Sequence, residues 1–262
     1  MDILLFVLFS AFCFGAIVGS FLNVVILRLP SDGESIVFPA SHCPICMADL
    51  HWYENIPMLS FLVLRGKCSH CKAPISFQYP VVELSMALLS SATIYQFGLS
   101  ITTIGYFLFC AALLVIICID IYHQIIPDVI SLSGIVLGFL FSFLSPAVQW
   151  QDSLIGILAG GGVLYAIALL YFLWRKVDGM GGGDIKLLAM IGAFLGWQAL
   201  PFVVFASSLS GTIVGLAAMI KQKKGGQTRI PFGPFLSIAA IIYLFFQKQI
   251  FVLYGLYLSV AY

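Results

Sequence analysis

Long stretches without a charged residue divide this sequence and set the strongest limit on its fold. A helix needs about 20 consecutive apolar residues to cross the hydrocarbon core of a bilayer. The sequence holds enough such stretches for about eight helices. They lie at 3–27, 84–119 (two helices, broken near Gly98), 129–151, 153–174, 187–220 (two helices, turning near Gly196) and from 230 onward. The sequence therefore predicts an all-α polytopic membrane protein, in which the path of the last residues stays open.

The composition excludes a soluble globular protein. Hydrophobic residues make up 61% of the chain and charged residues only 9%, whereas about a quarter is charged in ordinary soluble domains. The formal net charge is +1, and no basic arm or acidic tail is present. The expected partner is thus a lipid bilayer, with no nucleic acid. Gly15 and Gly19, four residues apart in the first span, predict close helix packing.

The positions of lysine and arginine predict the topology, because these residues concentrate in cytoplasmic loops. If the loop at 28–78 is cytosolic, alternation places all but Lys248 of the 12 basic residues on that side. The first span follows Asp2 rather than a basic cluster, so it is expected to be a retained helix and not a signal peptide. We expect the N-terminus outside the cytoplasm.

The loop at 28–78 carries two C-x-x-C motifs separated by 21 residues. This spacing suits a tetrahedral zinc site, and a cytosolic location disfavours disulfides. The expected ligands are Cys43, Cys46, Cys68 and Cys71. Redox dithiols are the alternative, and three histidines are possible substitute ligands: His42, His51 and His70. With few apolar residues of its own, the loop is expected to need zinc to hold its fold.

Two aspartates at the ends of predicted spans are the candidate catalytic residues. Asp184 follows a glycine-rich run at 179–183, and Asp120 ends the third span. The topology places both at the cytosolic face, where two close carboxylates would share a proton and hydrolyse a peptide as in aspartic proteases. Asp184 alone could be a helix cap. Asp120 needs another explanation, because a helix dipole disfavours a carboxylate at the C-terminal end. Asp128, after Pro127, is better explained as a residue that complements a helix dipole.

Two other classes of function fit parts of this pattern. A proton-coupled transporter also uses carboxylates in the membrane, but near the midplane on broken helices. A zinc-bearing assembly scaffold would need the cysteine loop and not Asp120.

The sequence resembles the type IV prepilin peptidases, the bacterial A24 family of membrane aspartic proteases, nearly from end to end. The matching elements are the four cysteines, Asn55-Ile56-Pro57, Arg65-Gly66-Lys67-Cys68, Tyr79-Pro80 with Glu83, Asp120 to Asp128, Gly181 to Leu187, and Ile230-Pro231-Phe232-Gly233-Pro234. The G-x-G-D element alone is also found in presenilin-like proteases. Its combination with the cysteine loop is specific.

The resemblance implies that Asp120 and Asp184 form the catalytic dyad of a bacterial inner-membrane enzyme. Its substrates would be prepilins and pseudopilins of type IV pili or type II secretion, cut on the cytosolic side. A second activity would methylate the new N-terminal residue with S-adenosylmethionine, and the family places this activity in the cytosolic loop, where Gly66 and Lys67 are candidate cofactor-binding residues. The implied division is a first transmembrane helix (1–27), a cytosolic loop (28–78) and a peptidase bundle (79–262).

Overall fold

The computed structural model describes residues 3–31, 35, 38, 41–176, 181–222 and 231–260. Gly179 and Met180 of the glycine-rich run lie outside these residues, as do Asp178 and the basic residues of 223–230. The described chain is almost entirely helical, and two isolated β-bridges, His42 with Asp49 and Lys67 with Pro74, are its extended pairings.

Nine helices occur within the described residues. They are α1 (Ile3–Arg28), α2 (Leu59–Val63), α3 (Gln78–Phe97), α4 (Ile101–His123), α5 (Asp128–Leu144), α6 (Trp150–Arg175), α7 (Gly182–Leu195), α8 (Leu200–Gln222) and α9 (Gly233–Val260). Two short 3₁₀ turns precede α2 and α8, at Trp52–Asn55 and Trp197–Ala199. The prediction of an all-α membrane protein is confirmed.

Each of the eight predicted spans corresponds to a helix, but the helices are not equivalent. Five described segments are long and apolar enough to cross a membrane: Ile3–Arg28, Ile101–His123, Trp150–Arg175, Trp197–Ile220 and Gly233–Val252. The helix α5 is apolar but shorter. The helix α7 has 14 residues, or roughly 21 Å at 1.5 Å per residue, and is too short to cross alone.

The chain forms two compact units, Met1–Val115 (unit 1) and Ile116–Tyr262 (unit 2). In unit 1, α1 packs along α3. A Cβ atom at Gly15 would lie 2.6 Å from the carbonyl oxygen of Met86, and one at Gly19 would lie 2.7 Å from the Cα of Glu83. The predicted close packing at these two glycines is confirmed.

In unit 2, α7 lies in the centre and packs against α5, α6 and α9. All residues from Leu187 to Leu195 are buried, as expected for a helix that is apolar on every side. The backbones of α6 and α7 meet where Gly156 faces Gly192, because a Cβ atom at Gly156 would lie 2.3 Å from the Gly192 oxygen. The packing of α7 against α5, α6 and α9 therefore holds its first turn, which carries Asp184, in place.

Candidate active site and metal site

Asp120 lies in the last turn of α4 and is 4% exposed. Its Oδ2 accepts a hydrogen bond from the backbone N–H of Gly233, at 3.0 Å. Gly233 is the first residue of α9, so the positive end of that helix dipole faces the carboxylate. The unfavourable position of Asp120 at the end of its own helix is therefore offset by the beginning of another.

Asp184 lies in the first turn of α7, after the N-cap Gly181. Its backbone N–H donates to the Gly181 oxygen at 3.2 Å, and a carboxylate at this end of a helix is favoured by the dipole. Asp184 is close enough to Asp120 for the charge of one carboxylate to act on the other. The two aspartates that were singled out in the sequence therefore lie together in unit 2.

One side chain, Ile126, separates the glycines that adjoin the two acids. A Cβ atom at Gly183 would lie 2.9 Å from the Ile126 Cβ, and one at Gly233 would lie 3.2 Å from the Ile126 Cδ1. Because Gly183 and Gly233 have no side chains, the segment that carries Asp184 and the segment that contacts Asp120 can both pack against Ile126.

An ion pair joins the beginnings of α5 and α7. The Lys186 Nζ lies 2.7 and 2.8 Å from the two carboxylate oxygens of Asp128. Asp128 is in the first turn of α5, after the N-cap Pro127, where a carboxylate complements the helix dipole. These contacts agree with the structural interpretation of Asp128. They also connect α5 to the residue two positions after Asp184.

Two carboxylates in this arrangement are suited to acid–base chemistry. Because like charges at short distance resist ionising together, such a pair tends to share one proton. One carboxylate is then available as a base and the other as an acid. Gly182, two residues before Asp184, is exposed, and apart from its chain neighbours and its own helix backbone no described atom lies within 4 Å of its Cβ position, which leaves room for another molecule.

The four predicted cysteines form one cluster in unit 1. Their sulfur atoms all lie within 4.8 Å of one another, and the Cys43 and Cys71 sulfurs are 3.8 Å apart. A tetrahedral zinc ion with Zn–S bonds of about 2.3 Å requires a sulfur–sulfur distance of roughly 3.8 Å. The cluster therefore fits a metal ion of this size.

The two C-x-x-C segments have the same backbone geometry. Cys43 N–H donates to the Ala48 oxygen, and Cys68 N–H donates to the equivalent Ala73 oxygen. Met47 and Lys72, each following the second cysteine of its motif, have positive φ angles of 57° and 60°. Each segment is thus a tight knuckle that turns two sulfurs to the same side.

Backbone amides also stabilise the charged form of the thiols. Hydrogen bonds from the N–H groups of Cys46 and Ile45 lower the pKa of Cys43 to about 6. The N–H groups of Cys71 and His70 likewise lower the pKa of Cys68. Thiolates are the form that binds metal, so the knuckles favour metal binding by their own structure.

The three histidines considered as substitute ligands are not part of the cluster. The ring of His51 stacks on Tyr53, at 5.3 Å between ring centroids. The Nδ1 of His70 is hydrogen-bonded to the Ser69 hydroxyl at 2.9 Å. His42 pairs with Asp49 through its backbone.

Gly66 and Lys67, the candidate cofactor-binding residues, lie in the turn after α2. Gly66 has a φ angle of +67°, and a Cβ atom there would lie 3.1 Å from the Phe61 ring. Lys67 forms the β-bridge with Pro74. Both residues belong to the backbone framework that leads into the second knuckle.

Comparison with known proteins covers most of the chain. Residues 13–97 match the bacterial peptidase A24 N-terminal domain, and residues 107–216 match the type IV leader peptidase family. A prepilin leader peptidase/N-methyltransferase of Stutzerimonas stutzeri is 40% identical over 262 residues, or 92% of this chain and 91% of the relative. Those of Pseudomonas aeruginosa and Burkholderia pseudomallei (strain K96243) are 39% and 36% identical, covering 90% and 94% of this chain and 89% and 87% of the relatives. The chain belongs to the type IV leader peptidase family.

The resemblance drawn from sequence motifs is therefore confirmed. No solved structure gives a significant match. The cysteine cluster lies within the A24 N-terminal match, and Asp120 and Asp184 both lie within the leader peptidase match.

Sequence reasoning missed two residues that lie beside the two aspartates, Gly233 and Ile126. The motif around Gly233 matches the family pattern, but nothing in the sequence indicates that its amide binds Asp120. The one available signal was the pair of prolines at 231 and 234, which marks the beginning of a helix at the expected cytosolic face.

Proposed function

We propose that this protein removes the leader peptide of type IV prepilins and pseudopilins and methylates the new N-terminus. The relatives carry both activities in their name, prepilin leader peptidase/N-methyltransferase. The observation that supports the peptidase half is the pairing of buried Asp120 with Asp184, at the end of one helix and the beginning of another. We propose these two residues as the catalytic dyad.

The dyad would cleave the peptide bond by general acid–base catalysis. The ionised carboxylate takes a proton from water as its oxygen attacks the scissile carbonyl carbon. The protonated carboxylate then gives its proton to the leaving nitrogen as the C–N bond breaks. The products are a leader carboxylic acid and a free amine, which exchange a proton to become a carboxylate and an ammonium, and one carboxyl proton is again shared by the pair.

The exposed backbone around Gly181 and Gly182 is the proposed contact for an extended leader segment. Gly181 has φ −68° and ψ 132°, an extended conformation that can pair with a second extended chain. Such pairing would satisfy the backbone groups of a peptide that has left its helix. The resemblance adds that the cut falls after a glycine, on the cytosolic side and ahead of a hydrophobic helix.

The positions of the carboxylates favour a peptidase over the transporter alternative. A transporter is expected to hold its coupling carboxylates near the bilayer midplane on broken helices. Asp120 and Asp184 instead lie in the last and first turns of their helices.

We propose zinc as the metal of the cysteine cluster, held by Cys43, Cys46, Cys68 and Cys71. Four thiolates occupy all four coordination positions of a tetrahedral zinc ion, so the ion would be structural rather than catalytic. Few of the described residues of the knuckle loop are apolar and buried, and metal binding would contribute directly to its folding.

We also propose S-adenosylmethionine as the methyl donor. When bound, it supplies a methyl group on a positively charged sulfur. The chain must present the newly formed amine with its lone pair free, which requires loss of a proton from the ammonium form. Transfer of this methyl group would form the new N–C bond as the C–S bond breaks, with a neutral thioether as the by-product.

The proposed setting is the bacterial inner membrane, with the N-terminus outside the cytoplasm and both the cysteine loop and the dyad at the cytosolic face. In this division, 1–27 is the first membrane helix, 28–78 the cytosolic loop associated with methylation, and 79–262 the peptidase bundle.

Mass spectrometry of a purified prepilin tests both activities together. The prepilin is incubated in detergent with this protein and S-adenosylmethionine, and separately without the donor. Loss of the leader mass in both samples, with an added methyl mass only when the donor is present, is the expected result. An intact prepilin in both samples would overturn the proposal.

A further inference from the structure

Unit 1 contains a cavity of about 880 Å³. Its walls come from the end of α1, the knuckle loop and the beginning of α3. Binding sites for small molecules usually measure roughly 300–1,000 Å³. The cavity is therefore large enough for a ligand of cofactor size.

The most informative residue of the wall is Glu83, which is only 6% exposed. Its Oε2 accepts the backbone N–H of Met58 at 2.7 Å, and the hydroxyl of Ser20 is a second hydrogen-bond partner. No described lysine, arginine or histidine forms an ion pair with Glu83. Because a buried carboxylate is costly without a positive partner, the cavity is suited to a cationic ligand.

A second carboxylate, Glu54, lines the same cavity and is 9% exposed. Its Oε2 accepts the His51 backbone N–H at 2.8 Å. A hydrogen bond from Ser69, followed by that from His51, lowers the pKa of Glu54 below its usual value. Glu54 therefore stays ionised at neutral pH and gives the cavity a second acidic group, while Arg28 of the same wall donates to the Ser35 oxygen at 3.0 Å.

The rest of the wall combines apolar rings with an unused polar group. Phe61 and Tyr79 line the cavity, and aromatic rings of this kind can stack on a nucleobase. The side-chain nitrogen of Gln78, another wall residue, is buried without a hydrogen-bond partner. A buried donor of this kind normally has an acceptor, which a ligand would supply.

We propose that this cavity binds S-adenosylmethionine, with Glu83 as the counter-ion of its positive charge. The donor carries a sulfonium and an ammonium group, to match two carboxylates, and an adenine, to match the aromatic wall and the free amide. This inference rests on the proposed methylation activity and adds the site to it.

The proposal gives Gly66 an indirect role. Neither Gly66 nor Lys67 lines the cavity, but Phe61 does, and a Cβ atom at Gly66 would press on the Phe61 ring at 3.1 Å. Gly66 is therefore a positioning residue behind the wall, because any larger residue there would push the Phe61 ring out of its place in the wall.

Equilibrium dialysis with radiolabelled S-adenosylmethionine, on the purified full-length protein, tests the site. Glu83→Gln keeps the shape and an acceptor for Met58 but removes the charge. We expect it to weaken donor binding at least about tenfold, the effect of losing a charged hydrogen-bond partner. Asp49→Asn removes an exposed carboxylate of the same loop that does not line the cavity, and it should bind like the wild type.

A second pair of variants tests the space rather than the charge. Val24→Trp places bulk in the cavity wall, while Val25→Trp changes the neighbouring α1 residue, which is not part of the wall. Val24→Trp should lose donor binding at least about tenfold more than Val25→Trp does. Leader cleavage and bound metal, measured on every variant, should stay at wild-type levels and report correct folding.

Three outcomes would overturn the site. If Glu83→Gln and Val24→Trp bind the donor as tightly as the wild type, the donor lies elsewhere, and methylation by the wild type would still support the proposed function. If Glu83→Gln instead loses only binding of a cleaved pilin peptide, the cavity holds the peptide amine and not the donor. If the wild type neither binds the donor nor methylates, both the site and the methylation half of the proposed function fail.

Discussion

Replacing Gly233 with alanine should disturb the carboxylate of Asp120 directly. The Gly233 N–H donates to the Asp120 Oδ2 at 3.0 Å, and alanine keeps this donor. The added Cβ, however, would lie 2.6 Å from the same Oδ2 and 3.2 Å from the Cγ of Asp120. A carbon and an oxygen normally stay about 3.3 Å or more apart, so the carboxylate must move by roughly 0.7 Å or α9 must shift by as much.

The size of the effect follows from the precision that catalysis requires. A misplacement of about 1 Å can cost roughly 100-fold in rate, which corresponds to about 2.7 kcal/mol of transition-state stabilisation. We therefore expect Gly233→Ala to lower kcat/KM for leader cleavage by about 30- to 100-fold.

The assay is the cleavage rate of a purified prepilin, together with the melting temperature and metal content of the variant. Gly162→Ala is the matched control, since apart from its chain neighbours and the backbone of α6 no described atom lies within 4 Å of its Cβ position, and it should cleave like the wild type. Cleavage by Gly233→Ala at the wild-type rate would refute the geometry. A loss accompanied by general unfolding would refute the argument that the effect is local.

The remaining predictions concern the neighbouring glycine, the ion pair and the metal. Gly183→Ala should slow cleavage about tenfold or more, because its Cβ would lie 2.9 Å from that of Ile126; cleavage as fast as that of the control Gly162→Ala would contradict this. Lys186→Ala breaks an ion pair that is 36% and 58% exposed on its two sides, so denaturant unfolding should show a loss of at most about 1 kcal/mol. Cys43→Ser should reduce bound zinc below one equivalent by elemental analysis, and a full equivalent would argue against the cysteine site.

The residue types of the site could be predicted from sequence because their chemistry is unusual in this background. Two C-x-x-C motifs in one loop are a specific metal-binding pattern, and a carboxylate between a glycine run and an apolar segment is a costly feature in a membrane protein. The membrane helices could also be predicted, because each one corresponds to a long apolar run with few charged residues. Local sequence therefore singled out the four cysteines, which the structure gathers in one cluster, and the two aspartates, whose roles remain predictions.

The contacts that assemble the site could not be predicted, because they join distant segments. Gly233 reaches Asp120 across 113 positions of the chain, and no local pattern reports such a contact. The helix α7 was predicted as a span, yet it is a short buried helix. Hydropathy cannot separate these cases, because a side chain facing lipid and one facing another helix are equally apolar. The cavity of unit 1 likewise draws its wall from three separate segments.

The most direct test of the account is whether Asp120 and Asp184 act as one unit. Leader-cleavage rates are measured for Asp120→Asn, Asp184→Asn and the double variant, each checked for bound metal and melting temperature. Residues that act together are strongly non-additive, so each single variant should lose nearly as much activity as the double variant, on the order of 10²- to 10⁴-fold or more. A single variant that cleaves prepilin at the wild-type rate, or losses that simply multiply in the double variant, would contradict the shared-proton dyad.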